Sequence, residues 1–352
     1  MKHTHGGNIY PYDHILDFSA NLNPLGMPGP VRIAAMDAVI RSDHYPDPDC
    51  TALKEAISRR EQVSADQIIC GCGAAEIIYL VFQALRPCRV LLISPSFAEY
   101  EEAACATDSE RCYYETGPEL TIKEDYLDAL GGGIDVAFLC NPNNPTGLTC
   151  SREFLMRVLE KCRESKTLLV LDECFLDFLP DKEAYEMTGE LEGGSLLILK
   201  AFTKSYAMPG LRLGYGMTAD RELLMRMEEV RQPWSVSVPA QAAGVAALEE
   251  VDPKFLEETV RVVTKERKRL EEGLKRFGFA VFPGKANYLF FRSCRTDLKE
   301  ALLKRGILIR DCSNYRHLKP GDYRIAVRTE AENTRLLEAL KSEMEDTSWQ
   351  KR

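Results

Sequence analysis

The chain has 352 residues, 45% of them apolar and 28% charged, with a net charge of −9 from 45 basic and 54 acidic side chains. This length is too great for one compact core and predicts two unequal domains. The acidic balance, without a long Lys/Arg run, argues against nucleic acid and anionic membranes as partners. The polar start and the short apolar runs predict a cytoplasmic protein without a signal peptide or a membrane span.

Short apolar runs alternate with longer amphipathic stretches, as is typical of a largely parallel sheet covered by helices. Strands are predicted at 67–70, 90–94, 136–141, 168–172, 196–200 and 211–215, with helices at 74–85, 152–164 and 221–230. After about residue 239 the pattern predicts helices at 253–277, 297–304 and 330–343 and strands at 280–282, 288–291, 307–310 and 323–327. The expected fold class is α/β, with an N-terminal arm (1–28), a large domain (29–239) and a smaller α+β domain (240–352).

The cysteines and histidines predict neither disulfides nor a metal site. Twelve cysteines are scattered through apparent strands and helices without a CxxC pair, which favours buried free thiols in a reducing compartment. His3, His5 and His14 crowd the N-terminus, but no carboxylate or cysteine pattern accompanies them.

Chemically informative residues follow the predicted strands, where open α/β sheets bind ligands. After the strand 67–70 comes Gly-Cys-Gly-Ala-Ala, and such small residues at the start of a helix let backbone amides approach a phosphate. Phe97 follows the next strand and places an aromatic ring at the mouth of the site. The run Asn-Pro-Asn-Asn-Pro-Thr-Gly at 141–147 forces a rigid turn that fixes its asparagine side chains.

Three charged residues complete this set. Asp172 ends an apolar strand, where a carboxylate is costly unless it meets a cation. Lys204 follows another apolar strand and is expected to point into a cleft, and Arg212 comes eight residues later. Pyridoxal phosphate (PLP) needs a lysine for its imine, an acid facing the pyridine nitrogen and a phosphate site with an arginine. The set predicts PLP as the cofactor.

The ordered segments NPNNPTG, LVLDE and FTKSYAMPGLRLGY resemble the fold-type I PLP enzymes of the aminotransferase superfamily, over about residues 17–340. The resemblance implies a large α/β/α domain, a Schiff base on Lys204 and a protonated pyridine nitrogen facing Asp172. It also implies a homodimer with shared active sites. The other implied cofactor contacts are Ala74, Ala75, Thr203 and Arg212 at the phosphate, Asn144 at the 3′-oxygen, Phe97 stacked on the ring, and Tyr45 at the phosphate of the partner subunit. Ala201 departs from the pattern, since relatives often have Ser or Thr there.

Two families within this superfamily compete: histidinol-phosphate aminotransferases and the L-threonine-O-3-phosphate decarboxylases of cobalamin biosynthesis. The segments 5–8, 17–26, 310–315 and 323–329 resemble the decarboxylases. Phe175 stands where the transaminases usually have Tyr, and Arg328 where they typically have Gly. The favoured substrate is therefore a small phosphorylated amino acid, which loses CO₂. The residues expected to bind it are His5, Gly6, Gly7, Asn8, Asn23, Arg310, Arg324 and Arg328.

Within this set the resemblance assigns Arg324 to the carboxylate, and Arg310 with the arm to the phosphate, although these two assignments are exchangeable. Alternatives stay open: Arg310 and Arg328 could pair with Asp311 or Glu330 on the surface, and Phe175 could be core packing. A non-catalytic regulator is disfavoured, because the stretch before the arm offers no room for a DNA-binding domain. Threonine phosphate and serine phosphate differ by one methyl group, worth only about 1–3 kcal/mol of discrimination in a pocket.

Overall fold

The computed structural model describes residues 5–345, and within this range the strands form sheets of seven, four and two members. The strands are β1 (Leu16–Asp17), β2 (Ile68–Gly71), β3 (Arg89–Ser94), β4 (Glu110–Glu115), β5 (Val136–Cys140), β6 (Leu168–Asp172), β7 (Leu196–Ala201), β8 (Gly214–Met217), β9 (Ala280–Val281), β10 (Tyr288–Arg292), β11 (Ile307–Leu308), β12 (Arg310–Asp311) and β13 (Asp322–Ala326). The α-helices are α1 (Gly29–Val39), α2 (Thr51–Glu61), α3 (Ala74–Leu85), α4 (Ala98–Ala106), α5 (Tyr126–Ala129), α6 (Arg152–Ser165), α7 (Phe202–Ser205), α8 (Arg221–Val230), α9 (Val238–Glu249), α10 (Lys254–Arg276), α11 (Leu298–Leu303) and α12 (Glu330–Glu345).

The seven-stranded sheet has the order β2-β8-β7-β6-β5-β3-β4, and it is parallel except at β8, which runs antiparallel to both of its neighbours. One face packs on apolar residues of α1, α2, α6 and α9. The other face packs on α3, α4 and α8. Burial on both faces explains why the central strands are continuous apolar runs. The predicted α/β class with a mainly parallel sheet is confirmed.

Short polar side chains set the starts of several covering helices. The Ser151 hydroxyl accepts a hydrogen bond from the Phe154 amide at the start of α6, at 3.2 Å. The Asp220 carboxylate accepts one from the Leu223 amide at the start of α8, at 2.9 Å. Both bonds satisfy amides that have no partner within the helix, and they fix where each connection leaves the sheet.

The C-terminal part builds an antiparallel sheet of order β12-β13-β10-β9, covered by α10, α11 and α12. The N-terminal segment packs here: Leu16 of β1 pairs with Ile307 of β11, and Phe18 is fully buried in the same apolar cluster. The predicted limits at residues 28 and 239 stay predictions. Helix α9 spans the second limit and packs against α1.

Three of the differences between the structure and the predicted elements concern strands. Strand β4, which carries charged residues at one edge of the large sheet, was not predicted. The predicted strand 211–215 begins only at Gly214, because Arg212 has a φ of +59° and cannot continue an extended strand. The predicted strand 307–310 is divided into β11 and β12, which belong to different sheets.

The cysteines are all free, as predicted, but Cys88, Cys105 and Cys294 are exposed rather than buried. In the described part of the chain no helix combines the length and the apolar character needed to cross a bilayer.

Candidate active site

A cavity of about 370 Å³ lies beyond the carboxyl ends of β5, β6 and β7. It is lined by many of the residues that the sequence singles out: His5, Gly6, Ala74, Ala75, Phe97, Asn144, Asp172, Thr203, Lys204, Arg212 and Arg324. The convergence follows from topology, because the carboxyl ends of parallel strands meet at one edge of the sheet.

Lys204 lies on α7, the short helix that directly follows β7, and it is half-buried in the wall of the cavity. Desolvation, helped by the nearby guanidinium groups of Arg324 and Arg212, lowers the pKa of its ammonium group to about 8. A lysine with this pKa has an appreciable neutral fraction near pH 7. The neutral amine is the form that attacks an aldehyde, so this position suits covalent binding of a carbonyl cofactor.

Asp172 ends β6 and is 5% exposed. Its Oδ1 accepts a hydrogen bond from the Cys174 amide at 2.9 Å, and its Oδ2 accepts one from the Tyr100 hydroxyl at 2.5 Å. Within residues 5–345, no lysine, arginine or histidine forms an ion pair with this carboxylate. A buried carboxylate without a cation is expensive, so Asp172 fits a ligand that brings its own positive charge, such as a pyridinium ring.

The adjacent carboxylate, Glu173, has different partners from Asp172. Its Oε1 accepts the Met187 amide at 3.0 Å, and its Oε2 lies 3.9 Å from the Lys200 ammonium. Burial raises the pKa of Glu173 to about 8 despite that ammonium. Of the two neighbouring acids, only Asp172 lines the cavity.

An anion cradle is formed where α3 begins. Gly73 stands directly before the helix with a φ of +80°, and a Cβ built on it would lie 2.7 Å from Nη2 of Arg212. A Cβ on Gly214 would lie 2.4 Å from the Ala74 amide nitrogen, so β8 approaches the helix start closely. Backbone amides at a helix start and a guanidinium group together fit a phosphate.

Arg324, on β13, is 5% exposed and enters the cavity from the C-terminal sheet. Its Nη1 donates to Oδ1 of Asn144, its Nη2 donates to the Ser19 carbonyl at 2.8 Å, and its Nε has no partner. Because Arg324 occupies Oδ1 of Asn144, the amide nitrogen is the end of that side chain left to donate. This orientation suits the predicted bond to the 3′-oxygen of the cofactor.

Phe175 follows Asp172 by three residues and is buried at the cavity. Its ring packs edge-to-face on Tyr288 at 5.0 Å, and Nζ of Lys204 lies 5.8 Å from its centroid. The hydroxyl of Tyr288 is occupied by the Asn143 carbonyl at 2.8 Å. Phe175 therefore belongs both to a small apolar cluster and to the cavity wall.

Two of the predicted substrate residues, Arg328 and Asn23, do not line the cavity and bond to protein partners that were not predicted. Arg328 pairs with Glu332 at 2.7 Å and donates to the Asp17 carbonyl at 3.0 Å, so its acidic partner is Glu332 and not Glu330, which the sequence had left open as an alternative. Asn23 donates to the Ser205 carbonyl at 2.7 Å and to the Thr259 hydroxyl at 2.8 Å.

Four further predicted residues lie beside or outside the cavity. Arg310 donates to the backbone carbonyl of Asp311 and to Oδ1 of Asn314, in a small neighbouring pocket that shares His5 and Phe97 with the cavity. The Gly7 amide donates to the Ser19 hydroxyl at 2.7 Å, and Asn8 is exposed. Tyr45 is 78% exposed and stacks on Trp234 at 4.5 Å.

The structure also reveals cavity residues that were not predicted. Asn21 is buried, and its Oδ1 has no hydrogen-bond partner. Tyr315 lines the cavity, and its hydroxyl lies 3.5 Å from Oδ1 of Asn144. Asn21 stands two residues before Asn23, in the segment 17–26 that resembles the decarboxylases. The sequence does not show which of the two asparagines lines the cavity.

One group at the cavity mouth has the ligand types that bind metals. His5 pairs with Glu99 at 3.0 Å, and Glu102 lies close to both. Such groups are common without an ion, and we assign no metal to it. His3 lies outside the described residues.

The sequence pattern of the aminotransferase class I and II family matches residues 13–340. The chain belongs to this family. A threonine-phosphate decarboxylase of Salmonella typhimurium is 38% identical over 96% of both chains. A histidinol-phosphate aminotransferase of Nitratidesulfovibrio vulgaris is 33% identical over 93% of this chain and 88% of its own.

Solved structures of both kinds share the fold. The histidinol-phosphate aminotransferase of Clostridium acetobutylicum has a TM-score of 0.88 at 32% identity and covers 94% of this chain and 100% of its own. The L-threonine-O-3-phosphate decarboxylase of Porphyromonas gingivalis has a TM-score of 0.83 at 27% identity, with 94% and 99% covered. These findings confirm the fold-type I resemblance, and the chain is a PLP-dependent enzyme. The lysine, the acid without a cation and the anion cradle fit that cofactor.

Proposed function

We propose that this aminotransferase-family enzyme decarboxylates L-threonine O-3-phosphate to CO₂ and (R)-1-aminopropan-2-yl phosphate. The observation that carries the proposal is the 38% identity to the Salmonella decarboxylase along nearly the whole of both chains. The overall fold does not distinguish the two reactions, since the aminotransferase from Clostridium has a higher TM-score than the decarboxylase from Porphyromonas. The choice of reaction depends on the side chains around the cavity, and these side chains are the second argument for decarboxylation.

When bound, PLP withdraws electrons from the α-carbon of a substrate and weakens the bond that is aligned with its ring. We assign Asp172 to the pyridine nitrogen, where its charge keeps that nitrogen protonated. Lys204 would hold the cofactor covalently, and its amine would also carry the proton to the α-carbon that CO₂ leaves. Its lowered pKa suits a group that must both accept and release a proton near neutral pH.

The substrate carboxylate is assigned to Arg324. Asn144 and the Ser19 carbonyl fix its guanidinium group, and the Nε donor has no protein partner. A rigid cation selects which bond of the α-carbon is presented for cleavage. We assign the substrate phosphate to the side of the cavity where His5 and Arg310 lie, and Oδ1 of Asn21 to a donor group of the substrate.

The contacts of Arg328 favour a structural role over a contact with the substrate. Its guanidinium group is neutralised by Glu332 and bonded to the Asp17 carbonyl, which ties the last strand to the N-terminal segment. We therefore propose a structural role for Arg328, in which it orients the segment that carries Ser19 and Asn21.

The second candidate is transamination of histidinol phosphate, favoured by the relatives at 33% identity and by the TM-score of 0.88. Phe175 weighs against it, because its ring lies near Lys204 and offers no hydroxyl for the 3′-oxygen of the cofactor.

Product analysis separates the two reactions. The PLP-loaded protein is incubated with L-threonine phosphate, and in parallel with histidinol phosphate plus 2-oxoglutarate. We expect CO₂ and aminopropanol phosphate from the first mixture. Glutamate from the second mixture with no CO₂ from the first would assign the chain to the transaminases. O-phosphoserine as a further substrate tests the preference for the methyl group.

We also propose that the enzyme is a cytoplasmic homodimer of cobalamin biosynthesis. The free state of all twelve cysteines suits a reducing compartment. Ile33 and Met36 of α1, and Ile40 directly after it, expose 60%, 65% and 82% of their surface, and Tyr45 and Trp234 form an exposed aromatic pair. Large apolar side chains exposed to this extent support an association site. Sedimentation of the wild type beside Met36→Glu tests it, with a monomer expected for the variant and a dimer for the wild type.

A further inference from the structure

Tyr100 lies beneath the cavity, on α4, and only 1% of its surface is exposed. Its hydroxyl donates to Oδ2 of Asp172 at 2.5 Å, within the short range of bonds to charged acceptors. Burial and the adjacent carboxylate raise the pKa of Tyr100 well above its ordinary value. The hydroxyl therefore keeps its proton and acts on Asp172 only as a donor.

The ring of Tyr100 is held on two sides. It stacks on Phe138 at 4.9 Å and meets Phe97 edge-to-face at 5.6 Å. Phe138 belongs to the central strand β5, so the hydroxyl position is fixed by the core of the sheet. The other oxygen of Asp172 is fixed by the Cys174 amide. Each carboxylate oxygen is thus held by a protein donor, and Asp172 also lines the cavity.

We propose that Tyr100 is a positioning residue that fixes the orientation of Asp172 toward the pyridine nitrogen of the cofactor and, by its hydrogen bond, stabilises the charged carboxylate. A donor bonded to a carboxylate stabilises its charged form and makes it a weaker base. With this bond in place, the shared proton stays on the ring nitrogen and the ring keeps its electron-withdrawing power. Without the bond, the proton moves toward the carboxylate. The inference rests on the role proposed for Asp172, and not on which of the two reactions the enzyme performs.

Tyr100→Phe removes the hydroxyl and keeps the ring. Tyr126→Phe is its matched control, because Tyr126 is also fully buried, lies outside the cavity and has a hydroxyl without a hydrogen-bond partner. We expect kcat to fall roughly tenfold in Tyr100→Phe with little change in KM, as for loss of one charge-assisted hydrogen bond. The control is expected to match the wild type.

Nitrogen-15 NMR of ring-labelled PLP provides a readout that does not depend on turnover. In Tyr100→Phe we expect the pyridine nitrogen signal to move toward its unprotonated value, and 3-fluorotyrosine at position 100, a stronger donor, to move it the opposite way. An unchanged nitrogen signal in Tyr100→Phe would overturn the inference. A shifted signal in a protein that fails to release CO₂ would leave the inference standing and refute the proposed decarboxylation instead.

A double-mutant cycle with Asp172→Asn separates positioning from packing. If Tyr100 acts through the carboxylate, Tyr100→Phe has no further effect on the nitrogen signal or on the affinity for PLP in the Asp172→Asn background. An equal effect in both backgrounds would mean that Tyr100 only fills space.

Discussion

Replacing Gly73 by alanine probes the anion cradle at the start of α3. Gly73 adopts φ +80° and ψ 163°, a region reserved almost entirely for glycine, so alanine there costs about 1–3 kcal/mol of folding free energy. The new Cβ would also lie 2.7 Å from Nη2 of Arg212, and this flexible guanidinium group has to move away. Loss of one charge-assisted bond to the phosphate weakens binding by about 1.5–3 kcal/mol.

That energy corresponds to a rise of about 10- to 150-fold in the Kd for PLP, since about 1.4 kcal/mol is a factor of ten. Absorbance titration of the apoprotein with PLP measures it. Gly278→Ala is the matched control, because Gly278 has a φ of +81° and nothing within 4 Å of its added Cβ. The control is expected to lose stability without a change in Kd. If Gly73→Ala bound PLP within twofold of the wild type, the cradle would not be the phosphate site.

The remaining predictions concern the cavity walls. Lys204→Ala is expected to abolish turnover while still binding PLP non-covalently, which dialysis and absorbance check. In the wild type the rate of covalent PLP capture should rise with pH through about 8, because deprotonation yields the reactive amine; a flat profile would contradict the lowered pKa of Lys204. Arg324→Lys should lower kcat/KM about 10- to 100-fold by losing its fixed planar donors, whereas Arg328→Lys should stay within about threefold in the same kinetics. Phe175→Tyr adds a hydroxyl near Lys204, and we expect decarboxylation to fall about two- to tenfold and the aminated cofactor to accumulate, as followed by absorbance.

The gathering of Asp172, Lys204 and Ala74 at one cavity could be predicted, because local sequence fixes where each of them lies. Asp172 and Lys204 directly follow apolar strands, and the topology of a parallel sheet brings such positions together. The cradle follows from glycine and alanine at a strand-to-helix turn. In these cases the neighbours along the chain determine where the side chain points.

The substrate residues were harder to predict, because their partners come from distant parts of the chain. The sequence does not show that Glu332, four residues after Arg328, forms an ion pair with it. Asn23 donates a hydrogen bond to Thr259 of α10, whereas Asn21 lines the cavity. Tyr100 gave no signal, since a tyrosine on a helix face is indistinguishable from core packing until its hydroxyl is seen on Asp172.

Strand β4 was not predicted because of its charged residues. It lies at the edge of the large sheet, and Glu110, Arg111 and Glu115 are exposed there. Edge strands carry charge that blocks pairing with another sheet, and this charge hides the apolar pattern by which strands are recognised.

The pairing of β1 with β11 also has a consequence for biosynthesis. About 290 residues of chain separate Leu16 from its strand partner, Ile307. Closing so long a loop is slow, and it has to wait until the C-terminal sheet has been made. Ser19 and Asn21, which follow this strand, reach the cavity only then. During synthesis the phosphate cradle, whose residues lie between 73 and 214, can therefore assemble before the substrate wall is completed.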